Sequence, residues 1–151
     1  MDRRGWIYSA AVLAILSTGS VYYIIQEDKN VKRRKHAKAA ERHALRQLLE
    51  INNDRLAIDK DIEKASQLTS ETDKKQREYL LAKTNEMLLR LLERLDAIHP
   101  QSAILGELHR DQPATDYESS LMEGIKHKKK RLIKKIESDF ARVDQLTKRV
   151  Q

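Results

Sequence analysis

The chain has 151 residues, 35% of them charged, with only four glycines and two prolines. That balance argues against a sheet-rich fold and for long, solvated helices, and the length allows one domain or a domain plus an appendage. Cysteine is absent, which excludes disulfide staples, thiolate metal sites and a cysteine nucleophile, and the net charge of +7 suits an acidic or anionic partner.

After a short tail at 1–5, residues 6–25 (Trp6 to Ile25) hold no ionisable side chain except tyrosine. A helix of that length rises about 1.5 Å per residue and spans the roughly 30 Å hydrocarbon core of a bilayer. Trp6 and Tyr8 at one end, with Tyr22 and Tyr23 at the other, match an interfacial aromatic belt. The apolar run continues beyond the small residues Ser17 to Ser20, which argues against a cleaved signal peptide. Lys29, Lys32, Arg33, Arg34, Lys35 and Lys38 outweigh Arg3 and Arg4, so the side after the span is expected in the cytosol and the tail in the lumen. Residues 26–40 read as a basic neck. Within it Lys32, Arg33, Arg34 and Lys35 are the candidates for contact with anionic headgroups or ribosomal RNA. No aromatic residue interleaves with these cations, so base stacking is not indicated, and nothing points to DNA.

Residues 41–69 read as helix one, its periodicity beginning at Ala37. Ala40, Ala44, Leu48, Ile51, Ile58, Ile62 and Ala65 form a thin stripe, and Asn52-Asn53 is a weak spot. The thin stripe predicts partial packing and a mobile membrane-proximal end. Ser70-Glu71-Thr72-Asp73 resembles a capping box and restarts the chain. Helix two then carries Leu81, Leu88, Leu91, Leu92, Leu95 and Ile98 on one face, and His99-Pro100 stops it. Glu86 and Glu93 lie nearly opposite that stripe, with Asp96 at its flank. Residues 100–114 read as a loop with a short turn at Ile104-Leu105. Thr115-Asp116-Tyr117-Glu118 is a second capping box. It opens helix three, whose stripe is Leu121, Ile125, Leu132, Ile136, Phe140, Val143 and Leu146, with an exposed gap near Lys128-Lys129. The fold expected is all-α: a single N-terminal transmembrane helix followed by an antiparallel three-helix bundle.

Chemistry is sparse. The five histidines are scattered without metal-ligand spacing, and the four glycines are isolated, so no phosphate loop exists. No serine, histidine and aspartate sit on a recognisable nucleophile turn. The expectation is no enzyme, no cofactor and no metal.

The run Asn85-Glu86-Met87-Leu88-Leu89-Arg90-Leu91-Leu92-Glu93-Arg94-Leu95-Asp96, followed by Lys129-Lys130-Arg131-Leu132-Ile133-Lys134-Lys135-Ile136, resembles a BAG domain. With the N-terminal span and neck, the whole chain looks like the small membrane-anchored members of that family in fungi. The resemblance makes 70–151 the two BAG helices that grip the ATPase domain of a 70-kDa heat-shock chaperone and hold its nucleotide cleft open. It also implies an endoplasmic reticulum or nuclear-envelope membrane. The family's helix-two glutamate falls on Glu86 and its aspartate on Asp96. Its helix-three arginine falls on Lys129 and its glutamine on Glu137, and neither of these is identical. Lysine keeps the charge but loses the planar fork, and glutamate loses an amide donor. Arg90, Glu93 and Lys130 complete the expected chaperone-binding set, with Lys126 and Arg131 as further neighbours. Two other classes remain open on the residues alone: a membrane-tethered helical adaptor, and a ribosome- or RNA-associated protein.

Overall fold

In the computed structural model the chain is described over residues 3–68, 70, 73–106 and 111–148, with side chains from residue 26 onward. Among the described residues four helices follow one another: α1 (Arg3–Gln67), α2 (Lys74–Asp96), α3 (Pro100–Leu105) and α4 (Asp116–Lys148). The expected transmembrane stretch at 6–25 lies outside the residues whose side chains are described. Among the described residues, no helix is long and apolar enough to cross a membrane.

The basic neck expected at 26–40 is not a separate segment, because α1 runs through it and through Asn52-Asn53 without a break. The reason is local. No glycine or proline lies between Ser20 and His99, and alanine, lysine, arginine, glutamate and glutamine all favour helix. A dense run of cations solvates a helix as readily as it marks a linker. The expectation of thin packing is corrected too: Ala37, Ala44, Leu48, Ile51, Ile58, Ile62 and Ala65 are all buried, and Ala40 packs against them.

Ion pairs between helices fix their directions. Arg33 meets Glu118, Arg55 meets Asp139 and Arg142 meets Asp59, at sequence separations of 85, 84 and 83, so α1 and α4 run parallel and in register. Lys83 reaches Asp61 and Arg94 reaches Asp54, separations of 22 and 40, so α2 runs antiparallel to α1. At the two ends of the α2–α4 pair, Arg77 Nη2 donates to Leu146 O and Lys129 Nζ donates to Ile98 O, each at 3.2 Å. The three long helices are therefore up, down and up. Their shared core centres on Ile51, Ile58, Ile62, Leu88, Leu95, Ile125 and Ile136, none more than 2% exposed.

Connections differ from expectation in two places. Asp73, not Ser70, is the N-cap of α2; its backbone N–H donates to Ser70 O at 3.0 Å, and its side chain makes no capping bond. The stretch read as a loop from 100 contains α3. Pro100 supplies a preset φ in its first turn, and Ile104 and Leu105 are buried. Gly106 ends it at φ 60°, a left-handed conformation that glycine adopts without penalty. Six residues are too few to show a helical period, which is why the pattern concealed this element.

At the start of α4 the second capping box forms as expected. Thr115 N–H donates to Glu118 Oε2 at 2.8 Å, while Glu118 N–H donates to Thr115 Oγ1 at 3.3 Å. Glu118 is only 2% exposed and has a second duty. Arg33 grips it with a fork, Nε to Oε1 and Nη2 to Oε2, both at 2.7 Å. The same guanidinium donates to Pro113 O at 3.0 Å and to Gln112 Oε1 at 3.2 Å. Burial raises the pKa of Glu118, but the bonds from Arg33 and Thr115 outweigh it and hold the carboxyl below its ordinary value.

Candidate docking surface

The seam between α2 and α4 begins at one end with Glu78, Ala82 and Asn85 lying against Val143, Asp144 and Thr147. Steps of three and four residues continue each line along its helix. On α2 the line passes through Leu89, Leu92, Glu93 and Asp96, with Glu86 at its outer edge. On α4 it passes through Phe140, Glu137, Ile133, Lys130 and Lys126. The face has an apolar middle, since Leu89 is 49% exposed and Leu92, Ile133 and Phe140 are half-buried. Charged residues form its rim, the composition of a protein-docking surface.

Six of the seven expected chaperone-binding residues share this face: Glu86, Glu93, Asp96, Lys129, Lys130 and Glu137. Arg90 lies one helical turn from Glu86, turned away from α4, and donates to Glu86 Oε1 at 2.5 Å. Both side chains of that pair are mostly exposed, at 70% and 63%, so the bond is weak and Glu86 can exchange it for a partner's donor. Glu93, Lys130 and Glu137 are exposed and have no partner among the described residues.

Lys129 behaves differently from the rest. Its side chain is 17% exposed, it donates to Ile98 O at 3.2 Å, and its Nζ lies 3.6 Å from Asp96 Oδ1. It thus neutralises the carbonyl end of α2, a favoured place for a cation. The exposed gap expected near Lys128-Lys129 is therefore only half right: Lys128 is exposed and Lys129 is not. Asp96, with its side chain 80% exposed, keeps most of its accepting capacity open to solvent. Lys130, the next residue along α4, is exposed and has no partner among the described residues. Of its neighbours on α4, Lys126 is paired with Glu123 at 2.7 Å and Arg131 faces α1 instead.

The neck residues divide in a way that charge counting missed. Arg33, expected among the membrane- or ribosome-contacting residues, is withdrawn into its bond with Glu118. Arg34 stacks over the ring of Tyr117 at 5.9 Å, and Lys32 pairs with Asp28 at 2.6 Å. Lys35 is exposed.

A protein-family model described as the BAG domain matches residues 48–146. The chain belongs to the BAG-domain family. Such proteins are co-chaperones of 70-kDa heat-shock proteins rather than enzymes. No curated protein and no solved structure matches the chain. The BAG match begins at Leu48, so the last stretch of α1, residues 48–67, is part of the domain, whereas the resemblance in the sequence rested on the two later helices. Residues 26–47 precede the match, yet Arg33 clasps them to the BAG domain through Glu118.

Sequence reasoning missed the apolar middle of the BAG face. The signal was present in the doublets Leu88-Leu89 and Leu91-Leu92, where one leucine of each pair fills the core and the other turns toward α4 or solvent. Asp139 was missed as well. It occupies a core position between Ile136 and Val143 and is 1% exposed, with Arg55 donating to both of its oxygens at 2.6 and 3.1 Å.

Proposed function

We propose that this BAG protein is a membrane-anchored nucleotide-exchange factor whose α2–α4 face binds the ATPase domain of a cytosolic 70-kDa heat-shock chaperone. The family match carries the reading, and the exposed carboxylates of Glu86, Glu93 and Asp96 around an apolar seam support it. No catalytic group is required. A rigid face that fits the open-cleft chaperone better than the closed one shifts the population toward the open state, from which ADP leaves. Linkage makes the effect reciprocal: nucleotide that closes the cleft weakens the complex by the same factor. Acidic rim residues steer encounter and orientation, while Leu89, Ile133 and Phe140 supply buried area. Lys130 takes the place of the family arginine, since Lys129 is held by Ile98 and Asp96.

The uncharged stretch at 6–25 and the cations that follow it support a single-pass anchor with the bundle in the cytosol. The membrane proposed is that of the endoplasmic reticulum or nuclear envelope. Resistance to alkaline extraction, lost when residues 6–25 are deleted, is the result this placement requires.

Release of labelled ADP from a matched chaperone tests the exchange activity. The full chain should accelerate release, and Glu86→Ala should weaken chaperone binding about tenfold while helical content is unchanged. No acceleration by the wild-type chain would sink the proposal. Equal loss of binding and helicity would reassign Glu86 to the fold.

A further inference from the structure

The seam between α1 and α4 is a different face of the bundle, and its composition is unusual. Leu45, Leu48 and Leu49 of α1 and Lys128, Arg131 and Lys135 of α4 line an open groove of about 530 Å³. Leu49 is 58% exposed, and Leu56, two turns further along the same side of α1, is 46% exposed. Spaced by seven residues, the two leucines share one line on the helix surface and extend the apolar side of the groove. Opposite them, Lys128, Arg131 and Lys135 have no partner among the described residues.

Among the described residues no carboxylate lines the groove, and three acids of α1 and α4 are already held by other cations. Glu41 is taken by Lys38 at 2.5 Å, Asp139 by Arg55 at 2.6 Å and Asp59 by Arg142. The cations of the groove therefore face an apolar strip with no carboxylate of their own to meet. That pairing of exposed leucines with unopposed positive charge selects one kind of occupant. We propose that the α1–α4 groove is a second docking site, for an acidic amphipathic helix of a partner protein.

The distance from Leu45 to Leu56 is roughly 16 Å along α1, about the length of three helical turns. A partner helix would lay its apolar stripe on the leucines and turn its glutamates or aspartates toward α4, the helix-in-groove mode. Because the chaperone face lies between α2 and α4, both surfaces can be occupied together. The groove site stands independently of the exchange reading, since none of its residues belongs to the α2–α4 face.

The test uses the full chain in zwitterionic nanodiscs, with empty nanodiscs as the blank. The probe is a fluorescein-labelled synthetic helix with leucines at i, i+4 and i+7 flanked by glutamates, compared with the same helix flanked by lysines. The glutamate helix should raise fluorescence anisotropy and the lysine helix should not. Reversing the groove (Lys128→Glu with Arg131→Glu and Lys135→Glu) should weaken binding by at least about tenfold, and added salt should weaken the wild-type complex. Leu49→Lys should weaken it as well, and circular dichroism should be unchanged because all four side chains are exposed. Equal binding of both helices, or indifference to the reversal, would overturn the proposal. So would binding of a single-stranded RNA oligomer with the same dependence on these residues, which would make the groove an unspecific anion site. Concentration-dependent dimerisation abolished by Leu49→Lys would overturn it in favour of a second copy of the chain.

Discussion

Arg33→Ala should destabilise the bundle by roughly 3 kcal/mol, the lower part of the range for breaking a buried ion pair. The lower part applies because Thr115 still donates to Glu118 from its backbone and its hydroxyl, at 2.8 and 3.0 Å. The change leaves a carboxylate that is 2% exposed without its cation. A pH signature separates this cause from lost packing. The native carboxyl of Glu118 is held below its ordinary value, so its stabilising contribution is present above the unfolded carboxylate range and is lost as pH falls through the lowered native value. Urea midpoints for wild type and variant should therefore differ most near neutral pH and converge in acid. A gap that stays constant with pH would show that the arginine acts through its aliphatic stem. Replacing both partners with apolar residues should cost less than Arg33→Ala alone.

Two neighbouring leucines should give opposite results. Leu88 is 0% exposed in the centre of the bundle, so Leu88→Ala should cost about 3 kcal/mol of stability through lost transfer energy and a residual cavity. Leu89 is 49% exposed, so Leu89→Ala should alter stability by no more than about 0.5 kcal/mol. Its effect should fall on the chaperone instead, weakening binding about tenfold as an apolar anchor inside a charged rim. Denaturation curves and chaperone-binding isotherms for the two variants provide the comparison. If Leu89→Ala left binding intact, the α2–α4 face would not be the docking surface.

How far this structure is legible in the residues depends on the range of the interactions involved. The stripes of α2 and α4 are local repetitions, and Leu81, Leu88, Leu91, Leu95, Leu121, Ile125, Leu132, Ile136 and Val143 are buried where the period puts them. The Thr115–Glu118 box is equally local and is found with its two reciprocal bonds. Lys129 shows the opposite case. Its neighbours in sequence mark it as a surface cation, but its amine rests on a carbonyl 31 residues away, where the end of α2 meets α4. Arg33 is harder still, since its carboxylate lies 85 residues downstream. The one available hint was Asp139, an acid at a core position, which demands a cation opposite it; no pattern along the chain names Arg55 as that cation.

The unbroken course of α1 gives the protein an azimuth. A helix transmits torsion, so the stretch at 6–25 and the bundle beginning at Ala37 cannot swivel independently as they would on a slack tether. With the stretch embedded as proposed, the number of residues before Arg33 becomes a phase angle: each one added turns the whole bundle by about 100° around the helix axis. The compass bearing of the BAG face relative to the bilayer is then a property of chain length, reset by inserting one or two residues and restored to within about 40° by inserting four.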